Sequence, residues 1–208
     1  MNDLFSEVAS YYNAKIEMFG DTPSGVDWND KESQFKRFEQ LCKIIDSRLS
    51  HFTINDLGCG YAALLDYLIG KKYSCTYFGL DVSDKMIDIA KKRHAPTSKV
   101  QFVTASVPDR KSDYGVASGI FNVRLGISDT EWFNYLQDLL DALDRTSKLA
   151  FSFNCLTCYS DNEKKRDYLY YADPCALFDL CKRRYSRNVA LLHDYGLFEF
   201  TILVRKTY

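Results

Sequence analysis

Ile54-Asn55-Asp56-Leu57-Gly58-Cys59-Gly60-Tyr61-Ala62 is the stretch that decides the fold. Thr53–Leu57 has the composition of a strand, and Tyr61–Ile69 the apolar spacing of a helix, so the two glycines fall at a strand-to-helix turn. Glycine at such a turn lets backbone approach a ligand with no side chain in the way. The N–H groups of the turn and of the helix start are then available to polar atoms. Many nucleotide-binding folds use a Gly-x-Gly turn, and an ordinary βα connection can carry one too. The surroundings must narrow the choice.

Downstream the chain alternates. Ser74–Leu80 reads as a strand, and Ser83 caps a helix running to about Arg93. Val100–Thr104 and Tyr114–Ile120 are further strands, Asp129 to about Asp144 is an amphipathic helix, and Lys148–Phe153 is a fifth strand. Strands separated by helices imply right-handed crossovers and a parallel sheet. The end differs: Asn188–His193 and Leu197–Val204 are joined by a tight turn at Tyr195-Gly196, a hairpin that makes the last strand antiparallel. The reading is α/β, a doubly wound sheet of seven strands with an antiparallel C-terminal hairpin strand.

Upstream, residues 1–30 precede the main pattern and contain a helical stretch (Leu4–Met18) and a loop marked by Gly20, Pro23 and Gly25. A helix follows from about Asp30 to Leu49. Residues 31–208 form the main domain. Within it, the polar and aromatic segment 154–173 interrupts the alternation and leaves the C-terminal end of the fifth strand, where open α/β sheets bind ligands. Asp173-Pro174 ends the segment as an N-cap followed by proline at the first helical position.

A second acid, Asp81, lies at the end of the second strand. A carboxylate there can accept two hydrogen bonds from a ribose diol; a helix-start carboxylate facing the macrodipole is the plainer alternative. Together Asp56-x-Gly58-x-Gly60 and Gly79-Leu80-Asp81-Val82-Ser83-Asp84-Lys85-Met86 resemble the first and second motifs of class I S-adenosylmethionine-dependent methyltransferases. Ala62 stands where that family often has a third glycine. The resemblance runs over roughly residues 50–205 and implies a Rossmann-like sheet with S-adenosyl-L-methionine as cofactor. It implies Asp56 near the methionine amino group, Gly58 and Gly60 beside the cofactor, Asp81 on the ribose, and Val82 and Met86 against adenine. Where relatives carry an acid after the third strand, this chain has Ser106, a weaker partner for the adenine amine. The resemblance also sets Gly119 near the cofactor and Asn122 near the transferred methyl. The methyl then lies by the ends of the fourth and fifth strands, where Asn154 also falls. In that family, additions before the first strand often cover the cofactor, so residues 1–30 are expected to be a cap or lid.

No motif names the acceptor. Asn-Pro-Pro-Tyr, used by relatives that methylate exocyclic or amide nitrogens, is absent. The net charge of −1 and pI near 6.3 give no overall attraction for nucleic acid or anionic membrane. No apolar run approaches the ~20 residues of a membrane span, and Met1–Ser10 lacks the pattern of a signal peptide, so a cytoplasmic protein is expected. A small-molecule acceptor fits best, between residues 1–30 and the 154–173 segment. Tyr159, Tyr168, Tyr170 and Tyr171 of that segment suit a pocket wall. Which atom is methylated, and in what oligomeric state, stays open.

Methyl transfer is governed by alignment, and a base is needed only for a protonated, poorly acidic nucleophile. Catalytic candidates are therefore few: Asn122, Asn154, Tyr170 and His193. His193 would sit on an edge strand some three spacings, ~14 Å, from the fourth strand, which favours a structural role in the hairpin. Cys155-x-x-Cys158 lacks a matching second pair for zinc, and seven cysteines in such a chain read as reduced thiols. Two competing functions remain: a non-catalytic module that senses S-adenosylmethionine, and an NAD-dependent dehydrogenase. The acid before the glycines and the terminal hairpin weigh against the dehydrogenase.

Overall fold

In the computed structural model, residues 2–28 and 30–206 are described, with side chains from Ser6 onward. Helix α1 (Asn2–Phe19) and a 3-10 turn (Pro23–Val26) lead to α2 (Lys31–Leu41). The chain then alternates through β1 (Phe52–Leu57), α3 (Ala63–Gly70), β2 (Cys75–Asp81), α4 (Asp84–Arg93) and β3 (Val100–Thr104). It continues with β4 (Ser112–Ala117), α5 (Asp129–Thr146), β5 (Ser147–Leu156), α6 (Pro174–Arg184), β6 (Asn188–Leu192) and β7 (Glu199–Arg205). The sheet order is β3-β2-β1-β4-β5-β7-β6. The first five strands pair in parallel, and β7 inserts antiparallel between β5 and β6. This is the doubly wound sheet with an antiparallel end that the sequence predicts.

Burial follows position. β1, central, is covered on both faces and is apolar at Ile54 and Leu57, as parallel strands between helix layers are. The edge strand β3 leaves Val103 exposed. One apolar cluster holds Leu41, Leu64, Leu68 and Ile87 of α2, α3 and α4 against the sheet. Trp132, Leu136, Leu140 and Leu177 of α5 and α6 fill the other face. Caps fix the helix starts: Ser83 Oγ accepts from Met86 N at 3.1 Å, and Asp173 Oδ1 accepts from Cys175 N and Ala176 N. Among the described residues no helix is long and apolar enough to cross a membrane.

Three boundaries differ from the sequence reading by three residues or more. The predicted helix to Leu49 stops at Leu41 and tightens into a 3-10 turn, Cys42–Ile44. Strand β4 ends at Ala117 rather than Ile120, because Gly119 turns the chain with a φ of 80°. Strand β5 runs on to Leu156, so residues 154–156 belong to the sheet and not to the loop segment that follows.

α1 lies across the C-terminal ends of the strands and is tied to α4. Ser83 Oγ donates to Asn13 Oδ1 at 2.5 Å, and Lys85 pairs with Glu17. Arg93 pairs with Asp21 in the turn after α1. Asp27 closes the N-terminal segment on itself, accepting from Tyr11 Oη at 2.6 Å and pairing with Lys15 at 2.7 Å.

Candidate active site

A cavity of about 680 Å³ opens over the C-terminal ends of β1, β2, β4 and β5. Its floor is the β1–α3 turn. There the glycines do something other than bare their N–H groups. Gly58 N and Cys59 N both donate to Leu80 O, at 2.7 and 2.9 Å, and Gly60 N donates to Asp81 Oδ2 at 2.9 Å. These donors are spent on holding β1 to β2. The sequence reading of them as free for a ligand is corrected: what the turn offers is closeness. Gly58 has a φ of 73°, and a Cβ there would lie 2.1 Å from Ile120 Cγ2.

Asp81 closes one side of the cavity. Oδ1 accepts from Ser83 N and Oδ2 from Gly60 N, each at 2.9 Å. Both oxygens keep a lone-pair direction for a further donor, the arrangement a diol requires. Burial raises its pKa, partly offset by those backbone donors. Val82, Met86 and Ser106 line the same side, and Met86 is 1% exposed.

The opposite side is built by elements far apart in the chain. Trp28 packs on the β4 turn so closely that a Cβ on Gly119 would sit 2.5 Å from Trp28 Cζ2. The Arg37 guanidinium lies 4.0 Å from the Trp28 ring centroid. Arg37 Nε donates to Glu199 Oε2 at 2.8 Å, and Asn154 Nδ2 donates to the same oxygen at 2.9 Å. Asn154 Oδ1 accepts from Gly119 N at 2.7 Å. Arg37 and Glu199 are 7% and 1% exposed, both line the cavity, and Arg37 Nη1 and Glu199 Oε1 have no partner among the described residues. Val8 and Tyr12 of α1 form the roof, and Tyr168 and Tyr171 the wall facing it.

A family model described as a methyltransferase domain matches residues 54–148. A Mycobacterium tuberculosis protein named as a methyltransferase, Rv1506c, is 61% identical over 155 residues, covering 74% of this chain and 93% of that protein. The chain belongs to the class I S-adenosylmethionine-dependent methyltransferases. The fold agrees with solved methyltransferases at low identity. Magnesium protoporphyrin IX methyltransferase of Synechocystis PCC 6803, solved with bound SAH, superposes with a TM-score of 0.67 at 11% identity, covering 98% of this chain and 99% of that one. A DhpI–SAH complex superposes with a TM-score of 0.64 at 14% identity over the full length of both chains.

Within this methyltransferase the structure brings together Gly58, Gly60, Asp81, Val82, Met86, Ser106, Gly119 and Asn122 on one cavity. It sets four other sequence candidates elsewhere. Asp56 lies in the core at 1% exposure, accepting from Tyr77 Oη at 2.5 Å. Burial pushes its carboxyl up to about 7 against the lowering effect of Tyr77. Asn154 is fully buried and spent on Gly119 and Glu199, so it braces the β4 turn. Tyr170 packs against the α5–α6 core, while Tyr168 and Tyr171 take the wall positions. His193 is exposed at the end of edge strand β6, with the rings of Tyr159 and Phe200 each 6.0 Å away. Asn122 keeps its wall place because Oδ1 accepts from Leu156 N at 3.0 Å, bracing the end of β5.

Sequence reasoning missed Arg37 and Glu199. A signal existed for both. Arg37 falls among Gln34, Phe38 and Leu41 on the buried stripe of α2, and Glu199 stands between Phe198 and Phe200 at the head of the buried strand β7. A charge on a buried face requires a partner.

Proposed function

We propose that this methyltransferase transfers a methyl group from S-adenosylmethionine to a small soluble acceptor, in the cytosol, inside the cavity closed by residues 1–30 and the 154–173 segment. The carrying observation is the cavity itself. Its 680 Å³ falls within the range of small-molecule sites. It is roofed by Val8 and Tyr12 and faced by Tyr168, whose ring centroid lies 6.4 Å from that of Tyr11. That closure suits a molecule that is swallowed whole and not a polymer threaded through a groove. The near-neutral net charge supports the same reading.

The chain's own residues fit the cofactor. Asp81 would hold the ribose hydroxyls, Val82, Met86 and Ser106 the adenine, and the Gly58–Gly60 and Gly119 turns the methionine end, leaving Asn122 beside the methyl. Asp56 acts at one remove, by fixing β1 to Tyr77 of β2 under the turn. The bound cofactor supplies an electrophilic methyl. The protein supplies alignment and a closed space from which bulk water is kept out. Residues 1–30 serve as the lid.

The test combines two measurements. Calorimetry should show binding of S-adenosylmethionine and S-adenosylhomocysteine and none of NAD. Incubation with methyl-labelled donor and a fractionated low-molecular-mass cell extract should label a small-molecule fraction. Cofactor binding with no labelled fraction, or with label entering RNA, DNA or protein, overturns the acceptor reading.

A further inference from the structure

We propose that Glu199, held by Arg37, is the catalytic base of the reaction, and that the acceptor is a hydroxyl compound carrying a second oxygen beside the nucleophile. The inference rests on the small-acceptor reading above and extends it to the chemistry of the acceptor.

Glu199 opens β7, opposite Leu156 of β5 in the ladder. Four strand spacings, about 19 Å, separate β7 from β2, where Asp81 stands. If Asp81 marks the ribose, Glu199 lies beyond the methyl, at the acceptor end. One carboxylate oxygen is committed twice: Oε2 accepts from Arg37 Nε and Asn154 Nδ2. The other, Oε1, has no partner among the described residues although the side chain is 99% buried on the cavity wall. Arg37 Nη1 is likewise buried and, among the described residues, unpartnered. Buried polar atoms without partners are costly and rare in folded proteins. Two of them on joined side chains of the cavity wall, one a donor and one an acceptor, mark this end of the cavity for a polar ligand.

The chemistry of that end selects the nucleophile. Oε1 accepts a proton, and the Arg37 guanidinium donates to a lone pair of the same ligand. An alcohol next to a hydroxyl, ether or carbonyl oxygen satisfies both. An ammonium would place a second cation against the Arg37 guanidinium, which is unfavourable in a site of low dielectric. An alcohol is also the nucleophile that needs help, being a weak acid. Glu199 Oε1 takes the hydroxyl proton as the oxygen's lone pair forms the new bond to the methyl carbon, and the carbon–sulfur electron pair leaves on sulfur. The products are a methyl ether, neutral S-adenosylhomocysteine and a protonated Glu199, which returns its proton to solvent when the cavity opens.

The test uses the full chain with Glu199→Gln and with the double variant Arg37→Gln/Glu199→Gln. The double variant leaves no buried charge alone and guards against loss of the fold. S-adenosylhomocysteine and 5′-methylthioadenosine, which lacks the amino-acid end, are titrated by calorimetry. Methyl-labelled donor is then supplied with the extract fraction that the wild type labels. Both variants should bind the two nucleosides within twofold of wild type and label the fraction roughly 100- to 10,000-fold more slowly, the usual contribution of a general base. The labelled product should be a methyl ether. Labelling by Glu199→Gln at the wild-type rate overturns the inference. So does a selective loss of S-adenosylhomocysteine binding with 5′-methylthioadenosine unaffected, since the pair would then serve the cofactor's amino-acid end. A labelled product with its methyl on nitrogen, carbon or sulfur also overturns it. A wild type that labels no small molecule overturns the small-acceptor reading itself.

Discussion

Replacing Asp56 by asparagine separates a core carboxyl from a ligand contact. Asp56 is fully buried beside Tyr77, and its pKa rises from 3.8 to about 7. A carboxyl whose folded-state pKa is raised binds its proton more tightly when folded. Its stabilising contribution is complete below the unfolded value of 3.8 and is lost as pH climbs through about 7. At pH 5 the folded group is almost wholly protonated and the unfolded one mostly ionised, which by linkage is worth about 3 kcal/mol; by pH 8 almost nothing remains. Asparagine keeps an oxygen for the Tyr77 hydroxyl and does not titrate. The wild type should therefore lose about 3 kcal/mol relative to Asp56→Asn between pH 5 and pH 8. That corresponds to roughly 6–12 °C in melting temperature for a domain of this size. Urea or thermal unfolding of both proteins across that range measures it, and taking the difference cancels the other carboxyls, Asp81 among them. Parallel profiles for the two proteins would refute the buried titration. A folded Asp56→Asn that no longer binds S-adenosylhomocysteine would return the residue to direct ligand contact.

Asp81→Ala should weaken S-adenosylhomocysteine by about 1.5–3 kcal/mol, the loss of hydrogen bonds to a charged acceptor, and calorimetry giving a Kd within twofold of wild type would remove Asp81 from the ribose. Ala62 is fully buried with a φ of 68°, a conformation costing roughly 1–2 kcal/mol without glycine. Ala62→Gly gives back part of that gain in unfolded-chain entropy, leaving a rise of about 0.5–1 kcal/mol in denaturant unfolding; a fall would contradict the strain. Gly119→Val should drive Trp28 from its seat, shifting its fluorescence to the red and weakening cofactor binding at least tenfold; unchanged emission and binding would show that the contact yields freely.

Much of the architecture was legible because it is written locally. Val100–Thr104 appears as a strand, and Ser83 and Asp173 cap the helices expected of them. The turn at Gly58 and Gly60 was placed correctly, but the partners of its N–H groups were not, since Leu80 O and Asp81 reach them from the next strand. Asn154 read as loop because a lone polar residue looks like the end of a strand; only the structure supplies the Gly119 and Glu199 atoms that satisfy it. The Arg37–Glu199 pair spans 162 positions, and no periodicity links residues so far apart. Tyr170 and Tyr171 differ by one position in sequence and by a whole wall in space, which composition does not resolve.

The insertion of β7 between β5 and β6 has a consequence for how the protein is made. Of the elements described, β7 is the last to leave the ribosome, yet it fills the interior of the sheet. Until it arrives, β5 is a bare edge, Arg37 has no carboxylate opposite it, and Asn154 lacks the acceptor for its amide. A nascent chain ending near α5 already carries Gly58, Gly60 and Asp81, the residues proposed to hold the nucleoside half. The far wall, with the Arg37–Glu199 pair proposed to meet the acceptor, is completed only when residues 199–205 zip home, after every other described element has been made.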